Sequence, residues 1–393
     1  MKDMLKRNIS ILINELLFTV LKIKAKLDKQ VNSNNIFIIR FAHIGDFCIW
    51  LNSAKAYREL YPEKKIIFLT YSYKNITELA EATGYFDKVI SFETEGFRRI
   101  RSLKWALHFS GDKIINANPS RSLLSDLFVL AVNVNCRIAQ QSDITEMSLR
   151  ALRRSDRIYD RVIPCDLNEM ELIKNADFIR GLGLIDFRAG MFEIPEIPCK
   201  TEVPDEKYAI IFPDADTEIK MWDYKKFAEV IKNIIDIYQY KCLLLGGGKF
   251  KHVGTNINDI VNDANCINLM GQTSLAQCIQ LVRNAQIVVS NDTGGAHIAA
   301  GVRTPCVVLA VGWNRGRFFP YKLEQINAED VIPVDLIANV KCLGCGIENI
   351  NRYNPECGIQ GVPRCIAENT VEDVLDKIKE VMEQKNGKSV KQD

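Results

Sequence analysis

Three short segments of this sequence place acidic, basic and glycine residues directly after apolar runs. The first, residues 40–46 (RFAHIGD), follows a β-branched run and precedes a helical pattern. Its Asp46 can be a helix N-cap, or it can accept the proton of an attacking hydroxyl as a general base. Both interpretations stay open. Arg40, His43 and Gly45 are predicted to line the same cleft as Asp46.

The second segment, residues 290–297 (SNDTGGAH), also follows an apolar run. Glycines at a helix start let backbone N–H groups approach a diphosphate, and the helix dipole favours its negative charge. His297, one turn into the helix, can donate to the same phosphate. We therefore predict a donor-binding set of Asp292, Thr293, Gly294, Gly295 and His297. The alternative is a capped helix with a half-buried histidine, which would not require this combination.

The third segment is residues 212–222 (FPDADTEIKMW). Lys220 can neutralise the charge of a departing diphosphate, and Asp216 or Thr217 can contact donor hydroxyls or phosphate. The alternative is a solvated loop anchored by a buried Trp222.

The elements that position these segments alternate between short β-branched runs and helical patterns, which indicates βαβ units and parallel sheets. The predicted strands are residues 36–40, 65–70, 88–91, 113–116 and 135–138, then 208–212, 241–245, 266–269, 287–290 and 306–310. This pattern predicts an α/β protein with two doubly wound, Rossmann-like halves. Ligands of such sheets bind beyond the carboxyl ends of the strands, where all three segments lie.

The chain length of 393 residues exceeds the size of one growing core, so we expect two domains facing across a cleft. The predicted divisions, in order, are an amphipathic segment 1–34, an N-terminal domain 35–190, a proline-containing linker 191–205, a C-terminal domain 206–370, and a helix and tail 371–393. A Cys-rich segment, 342–365, lies within the second domain.

The net charge of +2 gives no support to a nucleic-acid partner. Twelve cysteines are too few for a secreted disulfide scaffold, and no cleavable signal precedes them, so we expect a cytoplasmic protein. Residues 1–30 are amphipathic and lysine-rich, too short and interrupted to span a bilayer. They predict either a helix on the inner face of the cytoplasmic membrane, as a peripheral contact, or a helix packed on the protein.

Four late cysteines, Cys342, Cys345, Cys357 and Cys365, lie in a loop-rich stretch. Four thiolates suit a structural Zn or Fe site that would fold a segment with little core of its own. Free buried thiols are the alternative, and disulfides are disfavoured by a reducing compartment.

Together the three segments resemble glycosyltransferase family nine, the ADP-heptose lipopolysaccharide heptosyltransferases. The resemblance extends from Ile36 to about Ile378 and is most specific at residues 271–275 (GQTSL), 283–285 (RNA) and 288–300 (VVSNDTGGAHIAA). Residues 40–46, followed by Tyr61-Pro62, and residues 220–222 (KMW) also follow the family pattern.

The resemblance implies an inverting transferase of GT-B fold that needs no cofactor for catalysis. It moves a heptose, or a related sugar, from ADP-heptose to a hydroxyl of the lipopolysaccharide core or a related glycan. The resemblance also implies that the C-terminal domain, 206–370, binds the donor and that the N-terminal domain, 35–190, binds the acceptor. Asp46 would be the base, Asp292, Thr293, Gly294 and His297 would hold the donor, and Lys220 would offset the charge of departing ADP. The sequence departs from the family at residues 246–251 (GGGKFK), where many relatives carry a glutamate that contacts the nucleoside.

Three other functions compete with this interpretation. One is transfer of heptose to a protein, as in family members that glycosylate autotransporters and carry cysteine-bound iron. Another is a non-catalytic scaffold that binds nucleotide sugars at the membrane, against which the retained Asp46 argues. The third, a dinucleotide oxidoreductase, is disfavoured because no G-x-G-x-x-G follows the first predicted strand.

Overall fold

The computed structural model describes residues 2–71, 76–345, 358–359 and 362–389. The chain divides into two compact units. The first unit comprises Met1–Ile44, Ser53–Leu167 and Lys174–Arg188, and the second comprises Gly45–Asn52, Asn168–Ile173 and Ala189–Asp393. Residues 191–205, predicted as a linker, contain neither helix nor strand.

The first unit contains one six-stranded parallel sheet of order β3-β2-β1-β4-β5-β6. Its strands are β1 (Asn35–Ile39), β2 (Lys65–Tyr71), β3 (Lys88–Phe92), β4 (Ser110–Asn116), β5 (Asn133–Gln140) and β6 (Arg161–Ile163). The α-helices described in the first half of the chain are α1 (Lys2–Leu27), α2 (Ile44–Leu60), α3 (Ile76–Ala82), α4 (Gly96–Ala106), α5 (Leu123–Ala131), α6 (Leu149–Asp156) and α7 (Glu171–Leu182).

The second unit repeats this topology in a parallel sheet of order β12-β11-β10-β7-β8-β9. Its strands are β7 (Tyr208–Phe212), β8 (Lys241–Leu244), β9 (Cys266–Asn268), β10 (Ile287–Asn291), β11 (Cys306–Leu309) and β12 (Val334–Leu336). A two-stranded antiparallel pair joins β13 (Gly358–Ile359) and β14 (Val362–Pro363). The remaining helices are α8 (Tyr224–Tyr238), α9 (Lys251–Val261), α10 (Leu275–Arg283), α11 (Gly294–Gly301), α12 (Arg364–Ala367) and α13 (Val371–Ser389).

The strands of these sheets are continuous apolar runs, because helices cover both faces of a parallel sheet and side chains on both sides are buried. All five residues of β7 and all five of β10 are buried. In each sheet the strand order reverses beside the first strand of the unit, which makes β1/β4 and β7/β10 the two switch points. The predicted α/β class with two doubly wound, Rossmann-like units is confirmed.

Helix α1 packs against α5 through the buried side chains of Phe18 and Leu21. Lys24 donates to the carbonyl of Ala131 at 2.9 Å, and Arg154 of α6 forms an ion pair with Glu15 at 2.5 Å. The helix is therefore anchored to the first unit along one face. Among the described residues, no helix combines the length and the apolar character needed to cross a bilayer.

Candidate functional site

The site of the second unit lies at the switch point where β7 and β10 end. Asn291, the last residue of β10, joins the loops that follow both strands. Its Nδ2 donates to the carbonyl oxygen of Pro213 at 2.7 Å, and its Oδ1 accepts from the N–H of Trp222 at 3.1 Å. Trp222 is buried and donates through Nε1 to the carbonyl oxygen of Asn369 at 3.1 Å. The second and third segments are thus fixed side by side.

Helix α11 begins at Gly294 directly after β10, with Thr293 as its N-cap residue. The side chain of Thr293 makes no capping hydrogen bond, so the capped-helix alternative does not describe this terminus. A helix leaves its first N–H groups without intrahelical acceptors, and here they lie at the switch point. Packing explains why residue 295 is a glycine, because a Cβ there would lie 2.4 Å from the ring of Phe212.

Asp292 is the buried carboxylate of this site, 5% exposed. One of its oxygens accepts from the N–H of Val311 at 3.5 Å. Burial raises the pKa of Asp292, while the nearby charge of Lys220 lowers it and the charges of Asp216 and Asp46 raise it further. These four charged side chains therefore share one electrostatic environment, although the sequence separates them by up to about 250 positions.

Lys220 is the cation at the centre of this cluster. It ends a short 3-10 turn, Glu218–Lys220, and its Nζ lies 3.6 Å from Oδ1 of Asp216. The backbone carbonyl of Asp216 accepts from Nζ of Lys249 at 3.0 Å, so a second lysine lies beside this loop. Asp216 and Thr217 are exposed, as the solvated-loop alternative predicts, but Trp222 and Asn291 fix the end of the loop.

His297 lies fully inside the unit, at 4% exposure. Its ring stacks on Phe319 with centroids 4.8 Å apart, and Nδ1 lies 2.6 Å from the hydroxyl of Tyr321. Burial, with a smaller contribution from Lys220, lowers the pKa of His297 to about 3. The imidazole is therefore neutral at physiological pH, and any hydrogen bond it donates comes from one ring nitrogen only.

Tyr321 decides which nitrogen carries that hydrogen. Burial holds the pKa of Tyr321 well above its usual value, so the hydroxyl keeps its proton. A buried hydroxyl needs an acceptor, and Nδ1 of His297 is the partner within 2.6 Å. If Tyr321 donates to Nδ1, the imidazole hydrogen resides on Nε2. Sequence reasoning missed Tyr321, because nothing in a single sequence links it to a histidine 24 positions earlier.

The loop that bears Phe319 and Tyr321 is held by two glutamates, one just before α7 and one in the first turn of α7. Arg317 donates from Nε to Glu171 at 3.0 Å, and Nζ of Lys322 lies 2.6 Å from Glu169. The carbonyl of Arg317 also accepts from the N–H of Glu171 at 3.0 Å. These bonds position the aromatic residues that pack on His297.

Gly45 and Asp46 belong to the second unit and lie against α11. A Cβ on Gly45 would be 2.7 Å from Cδ2 of His297, so only glycine permits this approach without displacement. Asp46 follows in the first turn of α2, whose N-cap residue is His43. The N-cap interpretation of Asp46 is therefore wrong. Its carboxylate is half-exposed and adjoins the charge of Asp292.

Arg40 and His43, predicted with Asp46, belong to the first unit. Arg40 is 1% exposed and donates to the carbonyl of Ala117 at 2.5 Å and to Asn175 at 3.3 Å. It therefore ties the carboxyl end of β1 to the segment after β4. His43 is exposed and makes no side-chain capping bond.

Asp214 is a second buried carboxylate that sequence reasoning overlooked. It is 7% exposed, and its Oδ2 accepts from the N–H of Gly247 at 2.8 Å. A Cβ on Gly246 would lie 2.5 Å from Oδ1, so the glycine-rich loop after β8 wraps closely around this carboxylate. Burial raises the pKa of Asp214 to about 6. Its position two residues after an apolar strand was the available signal.

Three of the four late cysteines are described, and Cys357 lies outside the described residues. Cys365 is buried, and its Sγ accepts from the N–H of Gly312 at 3.2 Å. The carbonyl of Gly312 in turn accepts from Gly344 at 2.7 Å, within the turn in which Cys345 N–H donates to the carbonyl of Cys342 at 3.2 Å. Within the described residues, no three Cys, His, Asp or Glu side chains form a metal-binding group.

Part of the chain matches a known protein family. Residues 193–329 match the family described as glycosyltransferase family 9 (heptosyltransferase). Lipopolysaccharide heptosyltransferase 2 of Escherichia coli strain K12 is 36% identical over 93 residues, 23% of this chain and 26% of that enzyme. The chain thus spans about a quarter of the length of the curated relatives it matches.

Two solved structures extend the likeness to most of the chain. E. coli ADP-heptose LPS heptosyltransferase II is 18% identical with a TM-score of 0.64, covering 90% of this chain and 99% of that one. The dodecameric iron-containing heptosyltransferase TibC of enterotoxigenic E. coli, solved with ADP-D-beta-D-heptose, is 12% identical with a TM-score of 0.51, covering 91% of this chain and 78% of that one.

Paired Rossmann-type units of this order, matched by these structures, define the α/β architecture of GT-B glycosyltransferases. Within that class, residues 193–329 match glycosyltransferase family 9, and a stretch of 93 residues resembles lipopolysaccharide heptosyltransferase 2. The family resemblance seen in the sequence is thereby confirmed.

Proposed function

We propose that this protein is an inverting glycosyltransferase that transfers a heptose, or a related sugar, from ADP-heptose to a hydroxyl of the lipopolysaccharide core or a related glycan. The observation that carries the proposal is the convergence of Asp46, Lys220, Asp292 and His297 at the β7/β10 switch point, where Rossmann-type domains bind nucleotides. Two proteins named above, heptosyltransferase 2 of E. coli strain K12 and E. coli heptosyltransferase II, are lipopolysaccharide heptosyltransferases, which supports the sugar and the acceptor class.

The donor diphosphate is proposed to bind at the amino end of α11. The N–H groups of Gly294 and Gly295 would face the phosphate oxygens, where the helix dipole favours negative charge. Lys220 would stabilise the charge that develops as ADP leaves. Neutral His297 would contribute an Nε2–H donor, fixed in that tautomer by Tyr321. A helix end and a lysine suffice for this stabilisation, so the proposal requires no divalent ion.

Asp46 is the proposed general base. Its half-exposed carboxylate lies beside the proposed phosphate site, because Gly45 packs on His297. An attacking hydroxyl would lose its proton to Asp46 as the bond between the sugar and the phosphate breaks on the opposite face. Direct displacement of this kind inverts the anomeric configuration. Positioned general bases typically contribute 10²-fold to 10⁴-fold in rate.

The nucleoside is proposed to lie near the glycine-rich loop after β8, at the neighbouring strand end. Many relatives carry a glutamate in this loop, whereas here Asp214 reaches it from the loop after β7. Asp214 would take over a carboxylate role by holding Gly246 and Gly247 in place. ADP specificity then depends on this loop conformation rather than on a side chain of the loop itself.

A donor screen tests the function. Purified protein is incubated with an acceptor core oligosaccharide and, separately, with ADP-heptose, UDP, GDP and CMP sugars, and nucleotide diphosphate or monophosphate release is measured. We expect release from ADP-heptose only. Selective turnover of a UDP or GDP sugar would refute the donor assignment, and no turnover with any sugar nucleotide would refute the enzyme.

Two substitutions separate the proposed roles. Asp46→Asn should lower kcat by 10²-fold or more while leaving ADP affinity by calorimetry nearly unchanged, because the carboxylate acts on the acceptor. His297→Ala should weaken donor binding first. Asp236→Asn, an exposed carboxylate on α8, is the matched control and should leave both quantities unchanged. Turnover of Asp46→Asn at the wild-type rate would remove the base assignment.

A structural Zn or Fe ion is proposed at the late cysteines. The support for this proposal is that Cys365 and the turn from Cys342 to Cys345 both bond to Gly312. The N–H of Gly312 would help to hold the thiolate of Cys365, and Cys357 would complete a set of four. Filled by protein thiolates, such a site stabilises the fold and takes no part in the reaction. Metal analysis of the purified protein tests it, with no bound Zn or Fe as the refuting result.

The acceptor is proposed to be lipid-linked, and the protein is proposed to be cytoplasmic. A lipid-linked core acceptor places the reaction on the cytoplasmic side of the inner membrane, where nucleotide sugars are available. Fractionation of cells into soluble and membrane pools tests this location.

A further inference from the structure

Helix α1 carries a second apolar face that the protein leaves uncovered. Phe18 and Leu21 pack into the first unit, but the opposite side of the helix presents a row of large aliphatic side chains. Their exposed fractions are Leu12 74%, Leu16 65%, Val20 54%, Ile23 57% and Leu27 76%. Spacings of three and four residues align them on one side of the helix. The exposed row is therefore continuous over four turns, unlike the scattered single apolar residues of ordinary surfaces.

Basic residues flank this row, and the acidic residues from Leu12 to Asp28 are paired within the protein. Lys22 and Lys26 follow one edge of the row, with Lys29 beyond the helix end. Glu15 is bound by Arg154 at 2.5 Å, and Asp28 is bound by Lys24 at 2.8 Å. The charge offered to an outside partner is thus positive.

Helix α4 adds a second element of the same character. It shares one core cluster with α1 and α5, so all three helices lie on one face of the first sheet. Phe97 is 90% exposed and Trp105 is 46% exposed. The helix contains four basic residues and no acidic one. Arg98 and Arg101 are largely exposed and share one carboxylate, Glu93, at 3.8 Å and 3.1 Å, so the helix keeps a positive excess.

Helix α6 extends the surface beyond α1. Arg154 joins the two helices through Glu15 and covers the ring of Phe18 at 4.8 Å. Leu149 is 53% exposed, and Arg150 and Arg153 are exposed beside it.

We propose that this face, formed by α1, α4 and α6, docks the protein on an anionic lipid bilayer. Aliphatic side chains of α1 would insert below the headgroups while lysines and arginines contact lipid phosphates. Aromatic residues such as Phe97 and Trp105 suit the same interfacial depth. A second copy of the chain is disfavoured as the occupant, because a symmetric interface would oppose basic residues to basic residues. A lipid-linked acceptor would then be presented at the surface where the enzyme rests.

Vesicle cosedimentation of the full chain tests the proposal. We expect binding to vesicles of phosphatidylcholine with 30% phosphatidylglycerol, weak binding to pure phosphatidylcholine, and release as salt screens the charges. A double substitution, Leu16→Ser with Ile23→Ser, removes inserted aliphatic surface without touching the face packed on α5. It should weaken partitioning into the vesicles more than a hundredfold. Each 1.4 kcal/mol of free energy lost when fewer methylene groups are buried in the membrane weakens partitioning about tenfold. Ile237→Ser, at an exposed residue of α8, is the matched control.

Charge is tested separately with Lys26→Gln and Lys29→Gln together, which should weaken binding about 25-fold, from about fivefold for each lysine. Activity on a soluble acceptor oligosaccharide should survive all of these variants, so a failed docking proposal is distinguishable from a failed enzyme assignment. Equal binding by wild type and the Leu16/Ile23 variant overturns the proposal. So does sedimentation showing that this variant dissociates a dimer while vesicle binding is absent, since α1 would then cover a second copy.

Discussion

Replacing Asp214 by Asn should stabilise the second unit at neutral pH. The carboxylate is 7% exposed and accepts a backbone hydrogen bond from Gly247. Asn keeps the shape and retains an oxygen that can accept the same bond, but it carries no charge. The substitution therefore removes the cost of burying an ionised group without opening a cavity.

The magnitude follows from the pKa of Asp214, which burial raises from 3.8 to about 6. The folded state therefore holds a proton that the unfolded state releases, and stability falls as pH rises from about 3.8 through 6. Above pH 7 the accumulated cost is about 3 kcal/mol, from roughly two pKa units at 1.36 kcal/mol each. At pH 4.5 only about 1 kcal/mol of this has accumulated. The advantage of Asp214→Asn should grow by about 2 kcal/mol between pH 4.5 and 8.

Urea unfolding of the full chain at several pH values measures this change. Trp50 and Trp222 are buried in the second unit, so their fluorescence follows its unfolding. Asp236→Asn, at an exposed position on α8, is the control and should show no such trend. A difference between Asp214→Asn and wild type that stays constant across this pH range would refute the argument that the buried carboxylate is destabilised by its charge.

Three further substitutions probe the packing around α11. Gly45→Ala puts a Cβ 2.7 Å from Cδ2 of His297, and the resulting displacement of these residues should lower kcat about 10²-fold. ADP release measures this rate, and an unchanged rate would show that the close approach of residue 45 to His297 is unimportant. Gly295→Ala puts a Cβ 2.4 Å from the ring of Phe212 and should cost about 1–3 kcal/mol of unfolding free energy; recovery in a double variant with Phe212→Leu checks the cause. Tyr321→Phe removes the donor to His297 and should weaken ADP binding about fivefold, with equal calorimetric affinities as the contrary result.

Much of the architecture was predictable because a buried strand of a parallel sheet is a run of consecutive apolar residues. Uninterrupted apolar runs such as residues 208–212 and 287–290 predicted β7 and β10 to within one residue. Elements with weak local patterns were missed. Strands β6 and β12 have three residues each, too few to show a run, and α9 (Lys251–Val261) is interrupted by glycine and asparagine residues.

The sequence also pointed to the three chemically active segments, since each follows a predicted strand and carries its own residue types. It could not show which side chains meet. Strand order places β10 beside β7, and this pairing unites Asp292 with Lys220 across 72 positions. Asp214 escaped notice for the same reason, because its burial depends on a loop more than thirty positions later.

Periodicity along α1 determined that this helix has apolar and basic residues on defined sides, but it left open whether protein or lipid covers them. Among the described residues, the tertiary structure packs one apolar side of α1 and leaves the other exposed. In the same way, the residue types of α11 determined a glycine-rich helix start, whereas the neutral state of His297 arises from rings and a hydroxyl contributed by a distant loop. Local patterns encode which surfaces a segment must bury; solvent exclusion and charge proximity exist only once the chain has brought distant segments together.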